Sequence, residues 1–227
     1  MEKKNYILLF LQIAAIAVSG VFGGDTTFAL ITALIGITFN FLVSMNIAPG
    51  FLFGFVYAVC NGILAWQTNV YATFVFMIFM QAPMALYSFW KWQGKKKETE
   101  AIMKKMNHRE LTFMIVGAIV LFAVMTGILS AINGAFNANV LFDTFFFVCS
   151  VTACIGLAAC YKNAYIVNFG SGIGGTILWL YKAITMGTGI SMAVFFAIVA
   201  LNSALAMHQQ YGKNSRRAAA HLVEQGL

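Results

Sequence analysis

Eight stretches of mostly apolar residues follow one another along the chain with short breaks between them. They run over residues 6–22, 27–45, 49–66, 70–90, 111–131, 140–160, 164–181 and 188–208. A helix needs about 20 mainly apolar residues to cross the hydrocarbon layer of a bilayer, and these stretches approach or reach that length. They are continuously apolar, without the two-residue alternation of a membrane barrel strand. Only 9% of the residues are charged and 61% are hydrophobic, against about 25% charged in ordinary soluble domains. This excludes a water-soluble enzyme, a disordered chain and a nucleic-acid-binding module. The chain reads as an all-α integral membrane protein with eight transmembrane helices.

Orientation follows from the placement of the cations, since cytoplasmic loops retain Lys and Arg. With the N-terminus in the cytoplasm, 13 of the 14 Lys and Arg fall on the inner side and only Lys182 falls outside. Both termini are therefore expected in the cytoplasm, with the protein in the cell's inner (plasma) membrane. The linkers carrying Asp25 and residues 133–139 face out. MEKK followed by NYILLFLQIAAIAVSG imitates a signal peptide, but the stretch is read as a retained first helix. Residues 91–110, KWQGKKKETEAIMKKMNHRE, read as a solvated loop.

An internal repeat is visible. CNGILAW (60–66) matches GGTILW (174–179), pairing Gly62 with Gly175 and Trp66 with Trp179, and ALYSFWKWQGK (85–95) matches ALAMHQQYGK (204–213). The repeat units are spans 2–4 and 6–8. Span 5 between them restores the orientation, which makes the two units parallel. This 3+1+3 plan, with an extra N-terminal helix, is that of SWEET-like transporters, which hold substrate near the midplane between repeats. The expected organisation is an extra helix (1–26), a first repeat (27–95), a loop and linker helix (96–136), a second repeat (137–213) and a cytoplasmic tail (214–227).

No ionisable residue lies near the middle of a span; Asp143 and Lys182 sit near outer ends, within reach of the interface. Ion-coupled pumps rely on an intramembrane ionisable group, so uncoupled, facilitated movement is expected. Amides do occur at depth: Gln81, Asn61, Asn168 and Asn202, all in repeat helices. An unpaired amide in hydrocarbon costs several kcal/mol, so each must face another helix or a wet cavity. Trp66, Trp179, Tyr87 and Trp90 are candidate ring faces and gates, although Trp also collects at membrane interfaces for amphipathic reasons alone. Pro83 should kink span 4. The four cysteines, Cys60, Cys149, Cys154 and Cys160, read as packing residues, and no metal or other cofactor is called for. Gly170, Gly172 and Gly175 imitate a dinucleotide fingerprint, but no strand precedes them; small residues there allow close helix approach. His108, His208 and His221 occur only at cytoplasmic positions without clustered carboxylates, which argues against a membrane enzyme.

Gln81 followed by ALYSFWKW (85–92), and the run NAYIVNFGSGIGGTILWLYKAI (163–184), resemble the conserved stretches of the PnuC family of nicotinamide riboside transporters. Ser88, Tyr165, Asn168 and the glycine at 172 depart from the family pattern. The resemblance implies a homotrimer that moves nicotinamide riboside by facilitated diffusion, with trapping by a cytoplasmic kinase. Chemistry agrees: aromatic rings suit a flat pyridinium cation, and amides suit its carboxamide and the ribose hydroxyls. Gln81, Asn168 and Asn202 are the expected hydrogen-bonding residues, Trp66, Trp90, Tyr87 and Trp179 the rings, and Asn61 a weaker candidate. A facilitator of another small neutral solute, a sugar or a different vitamin, remains the alternative. Beyond the substrate, the bilayer and its own copies, no nucleic-acid partner is expected.

Overall fold

The computed structural model describes residues 3–44, 47–93, 105–159 and 161–224. Eight helices carry these residues: α1 (Lys3–Phe22), α2 (Thr27–Ser44), α3 (Gly50–Gln67), α4 (residues 71–93), α5 (His108–Asn133), α6 (Ala138–Ala158), α7 (Ala164–Met186) and α8 (Ile190–Glu224). Six are long and apolar enough to cross a membrane: α2, α3, Tyr71–Lys91 of α4, α5, α6 and Ile190–His208 of α8. In α1 the apolar part is the shorter Tyr6–Phe22. Asn168, Ser171 and a cluster of glycines dilute the hydropathy of α7, yet its 23 residues extend about 35 Å at 1.5 Å per residue, enough to span. It packs between α6 and α8 and so does not face lipid on those sides. The expected loop continues helically as far as Gln93, its residues 94–104 lie outside the described residues, and so does Cys160. Over residues 214–224 the backbone of the expected tail continues α8.

Local chemistry sets the helix ends. Asn107 caps α5 in a reciprocal box with Glu110, its side chain accepting from the Glu110 N–H at 2.8 Å and its own N–H donating to Glu110 Oε2 at 2.9 Å. The other Glu110 oxygen accepts from the Tyr161 hydroxyl at 2.7 Å in the α6–α7 loop. That bond holds the half-buried Tyr161 phenol above its ordinary pKa. Asn137 caps α6, and left-handed Gly134 and Gly187 end α5 and α7. In α4 the irregularity directly precedes Pro83: Met77–Gln81 form a π turn between two α segments. Proline removes one helical donor and its ring crowds the carbonyl four residues back, and the wider turn accommodates both.

The helices form two groups of three. In each the middle helix, α3 or α7, packs against both of its neighbours in the chain. The groups meet along two seams, α2 against α8 and α4 against α6, so the first helix of each group lies on the third of the other. Each seam is tied at the same face by a carboxylate on helix N-terminal N–H groups. Asp25 accepts from Gly189, Ile190 and Ser191 at 2.5, 3.0 and 2.6 Å. Asp143 accepts from Ala72 N, Thr73 N and Thr73 Oγ1 at 3.0, 3.1 and 2.7 Å. Asp143 therefore does not reach the interface as its position suggested; it is buried because the start of α4 supplies donors that replace water. Helix α1 packs on α2 and α8, whereas α5 lies on α6 and barely touches α4. In α5 only Leu129 is buried, while interior positions elsewhere hold Gln12, Asn61, Thr73, Ser150, Ser171 and Asn202. An apolar exterior around a partly polar interior is what a lipid solvent selects. Close approach of α7 and α8 depends on Gly172, where an added Cβ would lie 2.6 Å from the Ala200 nitrogen.

Candidate functional site

A cavity of about 140 Å³ lies between the two groups of helices, with walls from α2, α3, α4, α6, α7 and α8. Its lining begins at a layer of rings, Phe76, Phe146, Phe195 and Phe196, and continues to Ser44, Ser88 and Ala158. Those last residues lie at or near the ends of α2, α4 and α6 opposite the Asp25 and Asp143 clamps. The ring layer is closely packed: Phe146 and Phe196 meet edge-on at 4.8 Å, Phe195 and Phe196 at 4.7 Å, and Tyr57 and Phe195 at 5.3 Å. These rings close the cavity on the side of the clamps. Among the described residues no charged side chain lines it.

The polar lining is made of amides and hydroxyls. Gln81 is the last residue of the π turn and lies in the wall, and among the described residues its amide has no hydrogen-bond partner. Asn168 Nδ2 donates to Ser203 Oγ at 2.7 Å, and Ser203 in turn donates to the Val199 carbonyl at 2.7 Å. This leaves Asn168 Oδ1 as the atom without a described partner. Ser150 and Ser171 share a 2.7 Å bond across α6 and α7. Asn202 bonds to Asn40 at 3.0 Å and to Gln12 of α1 at 2.8 Å. The cavity thus offers donors, acceptors and ring faces, but no fixed charge.

Of the residues singled out from the sequence, Gln81, Asn168 and Asn202 come together in this wall. The others lie elsewhere. Asn61 is buried behind the wall, donating to the Tyr57 hydroxyl at 3.0 Å. Trp179 is 0% exposed on the clamp side of the ring layer, over Gly189, with its indole N–H unpartnered. Trp66, 57% exposed, packs on Tyr71 and Phe74. Trp90 is 70% exposed, and Tyr87 lines a separate outer cleft with Lys91 above its ring at 5.3 Å. The wall also holds Asn40, Tyr57 and the phenylalanine layer, which were not singled out from the sequence, and Tyr165, noted there only as a departure from the family pattern. Asn40 carries the same signal as Gln81, an amide in an apolar span. The phenylalanines carry none, because 22 of them are spread through the chain.

A neutral, amide-studded cavity held between spanning helices and closed at one end by stacked rings defines a membrane carrier for a small polar solute. A sequence profile described as nicotinamide mononucleotide transporter matches residues 26–207. The chain belongs to that family, the PnuC family, and is a multi-pass membrane transporter, not an enzyme. The solved structure titled "Crystal structure of the Vitamin B3 transporter PnuC" shares its fold, with a TM-score of 0.77 at 17% identity over 96% of this chain and 94% of that one. Among curated proteins nothing matches it.

Proposed function

We propose that the protein carries nicotinamide riboside into the cell by facilitated diffusion through this cavity, and that cytoplasmic phosphorylation traps the riboside. The observation that carries this reading is the lining itself: ring faces and amides without a charged side chain. A pyridinium can lie on the negative faces of Tyr57, Phe195 and Phe196. Gln81 and the free acceptor of Asn168 suit the carboxamide and ribose hydroxyls. The family description names the mononucleotide, but its phosphate would itself carry close to two negative charges into a cavity without Lys, Arg or a described helix N-terminus to receive it. That cost of uncompensated burial favours the riboside. Among the described residues, Lys91, Lys105, Arg109 and Lys162 lie at the helix ends and in the loop on the side of Ser88 and Ala158, away from the clamps, which supports a cytoplasmic opening, cytoplasmic termini and an inner-membrane location. The two crossed seams and their carboxylate clamps support the parallel-repeat plan, and the homotrimer belongs to the same reading.

The test is uptake into proteoliposomes of labelled nicotinamide riboside, nicotinamide mononucleotide and a panel of sugars and vitamins. Saturable entry of the riboside alone is expected. Entry of the mononucleotide at a comparable rate, or of a sugar in preference, would overturn the assignment.

A further inference from the structure

Helix α1 stands outside both groups of three, yet one of its residues reaches the cavity wall through a chain of amides. Its packed face is Gln12, Ile16 and Gly20, one turn apart, and Gln12 is only 5% exposed. A glutamine on a helix that otherwise meets lipid or apolar neighbours is retained against several kcal/mol of desolvation unless its amide is fully used. It is used on Asn202. Gln12 Nε2 donates to Asn202 Oδ1 at 2.8 Å, and Asn202 Nδ2 donates back to Gln12 Oε1 at 3.4 Å. The same Asn202 nitrogen donates to Asn40 Oδ1 at 3.0 Å.

A primary amide has two donor hydrogens and one carbonyl oxygen. Asn202 has placed both hydrogens on Gln12 and Asn40 and has received one bond on its oxygen, so little remains for a ligand. Asn40 is in the opposite position. Its oxygen is taken by Asn202, so its NH₂ is the end left over; that nitrogen makes no described hydrogen bond, and Asn40 lines the cavity. We propose that Asn40, not Asn202, presents the ligand-binding amide on this wall, as a donor to an acceptor oxygen of the solute. Gln12 and Asn202 are positioning residues that hold it in that orientation. The first helix is thereby part of the binding apparatus. The inference rests on the riboside reading for the identity of its probe and on the amide chain for its residues.

The experiment is calorimetric titration of the purified full-length protein with nicotinamide riboside. Gln12→Met, which keeps the length of the side chain and removes its hydrogen bonds, should weaken binding about tenfold without touching the ligand. Asn40→Ala should weaken it at least as much. The Gln12→Met/Asn40→Ala double variant should bind no worse than Asn40→Ala alone, because the first residue acts only through the second. Gln12→Met combined with Gln81→Ala should instead multiply the two losses. A general loosening of the helix packing would multiply in both pairs and would overturn the proposal, as would wild-type affinity in Gln12→Met. Asn202→Ala runs the same cycle from the middle of the chain if Gln12→Met does not fold. If the wild-type protein binds no riboside, the functional reading fails together with this inference; if it binds and Gln12 is silent, only the inference fails.

Discussion

At the scale of single residues, the cavity separates side chains by what they have left to offer. Gln81 has both ends of its amide without a described partner and ends the π turn, in the cavity wall. Gln81→Ala should therefore reduce riboside affinity about ten- to a hundredfold, as expected for roughly 1–3 kcal/mol, with thermal stability little changed. Lipid-facing Phe10, 69% exposed, supplies the control: Phe10→Ala should titrate like the parent, and equal binding by both variants would place the ligand elsewhere. Trp179 predicts the reverse pattern. It is fully buried beyond the ring layer, so Trp179→Ala should lower the unfolding midpoint, at a cost of about 3–5 kcal/mol, more than it lowers affinity. Amides were legible in the sequence because hydrocarbon penalises them wherever they point, so Gln81, Asn168 and Asn202 stood out without any knowledge of packing. Tryptophans were not. Their large, partly polar rings are stable in a core, at an interface or against a ligand, and only the rotation of the helix decides among these. Gln12 and Asn40 carried the amide signal too, but their roles depend on a contact across 190 and 162 positions of sequence, which no spacing rule reveals.

Among the helices, the two carboxylate clamps do more to register the groups than sequence periodicity could show. The positive end of α8 meets Asp25 and that of α4 meets Asp143, each carboxylate answering N–H groups that a helix leaves open. Asp143 is buried and takes three donors. Asp143→Ala should leave them unpaired in apolar surroundings and cost on the order of 3 kcal/mol, seen as a lowered unfolding midpoint in detergent. Asp143→Asn retains an acceptor oxygen and should fall between the two. An unchanged midpoint for the alanine variant would show that α4 is held without the clamp. The eight helices themselves were readable from apolar length, since the bilayer sets one thickness for all of them. The π turn was only half legible: Pro83 announced a disturbance, but its location over Met77–Gln81 is settled by packing, where Gly62 of α3 leaves room for Ile78. The continuation of α8 beyond the membrane was hidden for a different reason: charged, polar sequence forms helix or loop according to context.

For the molecule as a whole, the decisive property is where charge is absent. Asp25, Asp143 and Lys182 lie on the clamp side of the ring layer, and the cavity wall itself carries no titratable carboxylate, ammonium or imidazole among the described residues. A carrier without such a group has nothing to load a proton in step with its substrate. Riboside movement should accordingly ignore an imposed pH or sodium gradient across a liposome held at zero potential. The proposed substrate, nicotinamide riboside, however, brings its own positive charge. If the pyridinium crosses alone, the membrane potential acts on it with about 2.3 kcal/mol per 100 mV, and an inside-negative potential of that size should draw riboside to roughly fifty times its external concentration. A potassium-diffusion potential applied to proteoliposomes, with uptake followed to equilibrium, measures this directly. Accumulation that tracks the potential and is indifferent to pH and sodium is the expected result. Accumulation driven by either ion gradient at zero potential would mean that a coupling group exists outside this cavity, and an equilibrium insensitive to potential would mean that a compensating charge travels with the substrate.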